Sequence, residues 1–144
     1  YWKSLYADRL SDELIAELAR RAAERPSGLT SIDIWHHGGA MNRVGADETA
    51  FGKRDAPFLL SFSSSWTEAT DDEPNIGWAR NGWKAIHAHS SGGLYLNFPG
   101  FGEEKEALVR AAYGPNYDRL VALKTHYDPA NLFRFNQNIK PSRT

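Results

Sequence analysis

Residues 29–37 read Leu-Thr-Ser-Ile-Asp-Ile-Trp-His-His, and their alternation decides the fold class. Thr30, Ile32 and Ile34 fall on one side of an extended chain, and Ser31, Asp33, Trp35 and His37 on the other. A two-residue period of this kind belongs to a strand with one apolar face, which needs helices or a second sheet to cover it. Upstream, Ser11 is flanked by Leu10 and Ile15, the spacing of a hydrophobic staple around an N-cap. Leu14, Leu18 and Ala22 continue one apolar stripe until Pro26 to Gly28 stop the helix. Downstream, Gly38 to Ala56 is a long loop rich in glycine and charge. Pro57 to Trp66 then reads as a second strand, with Phe58, Leu60 and Phe62 alternating with smaller residues. Pro74 stands where a helix begins, and Ile76, Ala79, Trp83 and Ile86 recur at helical spacing. Leu94 to Phe98 reads as a short strand and Glu103 to Ala112 as a helix stopped by Gly114. The connections are too irregular for a doubly wound nucleotide fold, and no glycine-rich loop joins a strand to a helix in the required way. The pattern therefore predicts an α+β fold, an antiparallel sheet covered on one face by helices.

Composition narrows the function classes. The 144 residues are 41% apolar, enough for one sizeable core, and 17 basic against 18 acidic side chains leave a net charge of −1. No basic footprint exists for nucleic acid or an anionic membrane, and no apolar run approaches the roughly 20 residues that span a bilayer, so neither partner is expected. The chain has no cysteine, which excludes disulfides and thiolate metal sites. Neighbouring His36 and His37 point to opposite faces of a strand, so no metal site is expected there either.

The C-terminal stretch YGPNYDRLVALKTHYDPANLFRFNQNIKP, residues 113–141, has an unusual order of signals. Gly114 and Pro115 break one helix, Asn116 is placed to cap the next, and Tyr117, Leu120, Val121 and the stem of Lys124 form its apolar side. Asp128-Pro129 ends that helix, and a tail follows in which Asn136, Gln137 and Asn138 lie between Phe135 and Ile139. Taken as one string, it closely resembles the C-terminal segment of the berberine bridge enzyme-like FAD-linked oxidases. The match extends through Tyr1-Trp2-Lys3-Ser4 with Tyr6, Gly38-Gly39-Ala40-Met41, Thr49-Ala50-Phe51, Arg54-Asp55-Ala56 and the tyrosine-x-asparagine run Tyr95-Leu96-Asn97. It implies that residues 1–112 are part of the substrate domain and residues 113–144 the C-terminal segment. That segment would pack in the same unit or against an N-terminal FAD-binding domain that is missing here.

The resemblance also implies site residues. Tyr95 matches a position at the flavin that serves several members as the base taking a hydroxyl proton. Asp33, or Trp35 if the register is shifted by two, matches a catalytic position on the strand before the double glycine. Tyr95, Asn97, Asn136 and Asn138 match positions at the flavin, where carboxamides suit a ring edge that alternates donors and acceptors. The implied activity is hydride transfer from an alcohol or related carbon centre of a small-molecule substrate to FAD, inactive without the flavin domain. The alternative is a stand-alone α+β binding or dimerisation module that no longer uses flavin. A flavin-facing sheet surface left bare also makes a homodimer an expectation. Arg43, Lys53 and Arg54 are candidates for an anionic substrate, against the commoner role of solvated loop charges.

Overall fold

A computed structural model of the chain describes residues 1–100, 106–135 and 137–142. Its sheet has three strands, β1 (Trp2–Ala7), β2 (Ser31–His36) and β3 (Phe58–Ser63), in the order β1-β3-β2 with both pairings antiparallel. The register sets Tyr6, Leu59 and Trp35 in one row and Leu5, Leu60 and Ile34 in the next. The helices are α1 (Asp12–Ala23), α2 (Ala40–Arg43), α3 (Asp72–Ile86), α4 (Glu106–Tyr113) and α5 (Tyr117–Tyr127). Residues 103–105 of the expected Glu103–Ala112 helix lie outside the described residues.

One face of the sheet is closed by α1 and α3. Leu5, Ala7, Leu60 and Phe62 meet Leu14 and Leu18 of α1 and Trp78, Ala79 and Ile86 of α3, all buried. Burying side chains of this size is worth about 1.5–3 kcal/mol each, so this layer dominates the stability. Ser11 caps α1 as its spacing predicted, its Oγ accepting from the Leu14 amide at 3.3 Å. Buried polar groups on this side find partners. Ser64 Oγ donates to the Asn75 backbone carbonyl (3.1 Å), Asn75 Nδ2 to the Asp71 carbonyl (2.9 Å), and Trp78 Nε1 to the Arg21 carbonyl (3.0 Å).

Four expectations change. β1 was not foreseen, because Trp2, Ser4 and Tyr6 on one side and Lys3, Leu5 and Ala7 on the other give no clean apolar period. Ile34 is half exposed rather than core, since it sits towards the end of an edge strand, while Ile32 on the same face packs against the core. Leu94 to Phe98 is not a strand but a turn, closed by the Phe98 amide donating to the Tyr95 carbonyl at 3.0 Å. Only Pro99 just beyond it makes an isolated bridge, to Lys3. Asn116 does not cap α5 with its side chain; its Nδ2 donates instead to the carbonyls of Ala46 (2.7 Å) and Thr49 (3.1 Å), tying the C-terminal segment to the long loop.

Candidate active-site cleft

The sheet face opposite the helices carries Trp2, Ser4 and Tyr6 from β1, Leu59, Ser61 and Ser63 from β3, and Ser31, Asp33 and Trp35 from β2. Three loop segments build a wall over its lower end. Gly39, with φ of 60°, turns the chain into α2 and delivers Met41; the following loop delivers Phe51; the 95–98 turn delivers Tyr95 and Phe98. With Trp35, His37 and Leu59 these side chains line a cleft of about 320 Å³. The wall is an aromatic stack. Tyr95 meets Phe98 edge-on at 5.2 Å and Phe51 at 6.3 Å between ring centroids, and Phe98 meets Trp2 at 5.3 Å. Arg54 holds the loop in shape by donating to the carbonyls of Phe51 and Met41 (both 3.0 Å) and to Thr49 Oγ1 (2.6 Å). Lys53 donates to the Ser91 carbonyl at 3.3 Å and pairs with Asp55. Both cations are thus engaged in holding loops, leaving little capacity for an anionic substrate.

Polar groups in this wall are sparse and placed. The Tyr95 hydroxyl accepts from Asn97 Nδ2 at 2.8 Å, so one candidate orients the other. His37, anchored by its backbone amide to the Pro57 carbonyl at 2.8 Å, lines the cleft, and burial lowers its imidazole below the usual range, with His36 adding to the effect. Its Nδ1 is buried without a partner. His36 points to the other face and stacks on Phe58 at 5.2 Å.

Asp33 lies on the same face as Trp35 but two residues further along β2, and it does not line the cleft. Its carboxylate accepts from Ser31 Oγ (3.0 Å) and Ser63 Oγ (2.5 Å), and Ser63 in turn contacts Ser61 Oγ at 3.2 Å. Tyr95 and Asn97 are therefore brought together, while Asp33 stands two rows away from Trp35. Asn138 lies in a separate groove beside α5, with its Oδ1 buried and unpaired, and Asn136 lies outside the described residues. The turn before it is fixed by Asp128, whose oxygens accept from the amides of Leu132 (2.8 Å) and Phe133 (3.1 Å) and from Lys124 Nζ. That turn leaves Leu132, Phe133 and Phe135 more than 70% exposed.

Sequence reasoning missed Tyr6, whereas the alternation of residues 29–37 had already put His37 on the same side as Trp35. Tyr6 is fully buried behind the aromatic wall with Leu59 and Ala56, packed by Phe51, Tyr95 and Phe98. The alternation Trp2, Ser4, Tyr6 was the available signal, once residues 2–7 are taken as a strand. Among the described residues no group of three or more His, Cys, Asp or Glu is placed to hold a metal ion, and no helix is long and apolar enough to cross a membrane.

The site this chain presents is an aromatic cleft on the open face of a helix-covered antiparallel sheet, with a tyrosine hydroxyl hydrogen-bonded in its wall. Comparison with known proteins supplies the family. The profile described as berberine and berberine like matches residues 94–140. The FAD-linked oxidoreductase YgaK of Bacillus subtilis is 34% identical over 134 residues, 93% of this chain and 29% of that protein. A chitooligosaccharide oxidase of Gibberella zeae is 31% identical over 107 residues, 71% of this chain and 22% of that protein. The structure of the Physcomitrella patens BBE-like 1 protein superposes on 99% of this chain and 30% of its own length, with a TM-score of 0.83 at 24% identity. The chain belongs to the berberine bridge enzyme-like family of FAD-linked oxidoreductases, and it spans about three tenths of the length of the relatives it matches.

Proposed function

We propose that this chain is the substrate-side part of an FAD-dependent oxidoreductase that oxidises an alcohol or related carbon centre, with Tyr95 accepting the hydroxyl proton. The observation that carries the reading is the Tyr95 hydroxyl, oriented by Asn97 in the wall of an apolar cleft large enough for part of a small molecule. When bound, FAD would supply the acceptor for the hydride that leaves the substrate carbon. A phenol titrates near pH ~10 and is a weak base at neutrality unless donors stabilise its anion, and the Asn97 amide is one such donor. The aromatic walls suit the apolar face of a sugar or polycyclic ring. Asp33, whose carboxylate accepts from two serine hydroxyls and does not line the cleft, is placed to hold the neighbouring row of hydroxyls rather than the substrate.

The donor set fits a flavin. Asn138 Oδ1 is buried and unpaired, an acceptor for an N–H of a bound ring, and Asn97, whose Nδ2 donates to Tyr95, keeps its carbonyl oxygen open to a ligand. Asn97, Asn138, Asn136 and Tyr95 would hold the ring, and the exposed apolar turn at Leu132, Phe133 and Phe135 would be covered by a flavin-binding domain. On this reading residues 1–112 contribute the substrate domain and residues 113–144 the segment that meets the cofactor side.

The test uses the complete protein that contains this chain. It should bind flavin, and anaerobic stopped-flow mixing with chitooligosaccharides and glucose should reduce it. Tyr95→Phe should retain the flavin while reduction slows by about 10² to 10⁴, the usual worth of general-base help. A Tyr95→Phe protein reduced at the wild-type rate, or a complete protein that holds no flavin, defeats the assignment.

A further inference from the structure

The Tyr6 side chain is fully buried, yet its hydroxyl has no hydrogen-bond partner. A phenylalanine would fill the same apolar space without burying an unpaired donor, so the hydroxyl has no structural use in this state. Burial first, and then the proximity of any charge on Tyr95, raise the Tyr6 phenol far above its ordinary range, so it holds its proton at every working pH. It is a donor and never a base. Tyr6 shares one apolar cluster with Tyr95, and Tyr95 is the member whose accepting power rises when it loses a proton.

We propose that Tyr6 is a positioning residue of this site, a reserved donor that bonds the Tyr95 oxygen once Tyr95 has taken on the role of base. The proposal rests on the reading of Tyr95 given above. In that state the oxygen would accept from Asn97 on one side and from Tyr6 on the other. The other titratable groups around Tyr6 do not supply this bond. The His37 ring lies 6.1 Å away, tilted by 60°, and burial disfavours its charged form; Lys53 is paired with Asp55 and bound to the Ser91 carbonyl; Asp33 lies two rows further along the sheet and accepts from two serine hydroxyls.

Two measurements on Tyr6→Phe test it. In the isolated chain, thermal unfolding should occur at the wild-type temperature or higher, because an orphaned hydroxyl has been removed. A clearly lower Tm means that the hydroxyl already has a structural partner and overturns the proposal. In the complete flavoprotein, sulfite serves as the probe, since it adds its electron pair to oxidised flavin without requiring the natural substrate. Sulfite affinity should fall at high pH as charge develops at the Tyr95 oxygen. In Tyr6→Phe that fall should move by about one to two pH units to the alkaline side, ten- to a hundredfold in proton activity, as expected for one lost bond to a charged acceptor. An unchanged sulfite profile overturns the proposal and leaves Tyr95 as base untouched. A wild-type protein with no flavin removes the underlying reading instead.

Discussion

Gly82→Ala tests how closely the helix layer sits on the sheet. A Cβ at Gly82 would lie 2.4 Å from Phe62 Cε1, 2.8 Å from Cδ1 and 2.9 Å from Cζ, all inside the closest approach that side chains tolerate. The ring has nowhere to go. Phe62 is fully buried in β3 and meets Trp78 of α3 edge-on at 5.4 Å, so retreat from Gly82 drives it into another large side chain. Alanine in a helix interior gains about 1 kcal/mol over glycine from backbone entropy. Overpacking of a filled core costs about 1–3 kcal/mol, and an approach this short against a trapped ring places the cost at the upper end. The balance is a loss of about 1–2 kcal/mol, or about 2–8 °C in Tm for a chain of this size. Urea unfolding followed by tryptophan fluorescence should show a lower midpoint with an unchanged slope, the mark of altered stability rather than an altered unfolded state. A Gly82→Ala chain as stable as the parent would mean that α3 sits further from the sheet, and the argument from close contact would fail.

Two further outcomes follow from the loops around the cleft. Asn116→Ala deletes both donors to the Ala46 and Thr49 carbonyls, so it should cost about 1–3 kcal/mol and raise hydrogen exchange across residues 45–51 while leaving β1 and β3 protected; uniform protection would refute the tether. Burial lowers the His37 imidazole in the folded chain below its unfolded value, so the unfolded state binds the extra proton first and stability should fall as pH drops below the ordinary imidazole range towards the folded value. Replacing His37 with Gln should flatten that part of the Tm-against-pH curve, and an unaltered curve would show that the imidazole titrates freely.

How much of this was legible depended on where the physics is local. The amphipathic stripe Leu14–Leu18 with its Ser11 cap, the strand at Phe58, Leu60 and Phe62, and the stop at Asp128 are short-range patterns, and each stands where its spacing placed it. Tyr95 and Asn97 were marked by resemblance, and the structure joins them in one hydrogen bond. The turn at 95–98 was not legible, because Leu94, Leu96 and Phe98 alternate like a strand and tertiary contacts bend them: Ser4 Oγ reaches the Phe98 carbonyl, and Phe98 packs against Trp2. Asn116 has the chemistry of a cap, and the long loop outcompetes the helix end for its amide. Tyr6 was hidden because β1 is apolar on both faces, one for the helices and one for the cleft.

The distribution of unpaired polar atoms separates the two sides of the sheet. On the helix side the buried polar groups Thr30, Ser64, Asn75 and Trp78 are all hydrogen-bonded within the chain, as a finished core requires. The buried atoms left without partners are Tyr6 Oη, His37 Nδ1, Ser91 Oγ, Asn131 Oδ1 and Asn138 Oδ1. The first three cluster about the cleft, where Ser91 meets the Tyr6 carbonyl through its own amide, and the last two sit in the tail beside the exposed Leu132, Phe133 and Phe135. Each unpaired group costs stability, and among the described residues these atoms fall in the two patches and not in the main core, which agrees with the contacts proposed there. Three of them lie about the cleft that holds the oriented tyrosine, and two lie in the tail, the two places where the proposed substrate and flavin contacts fall.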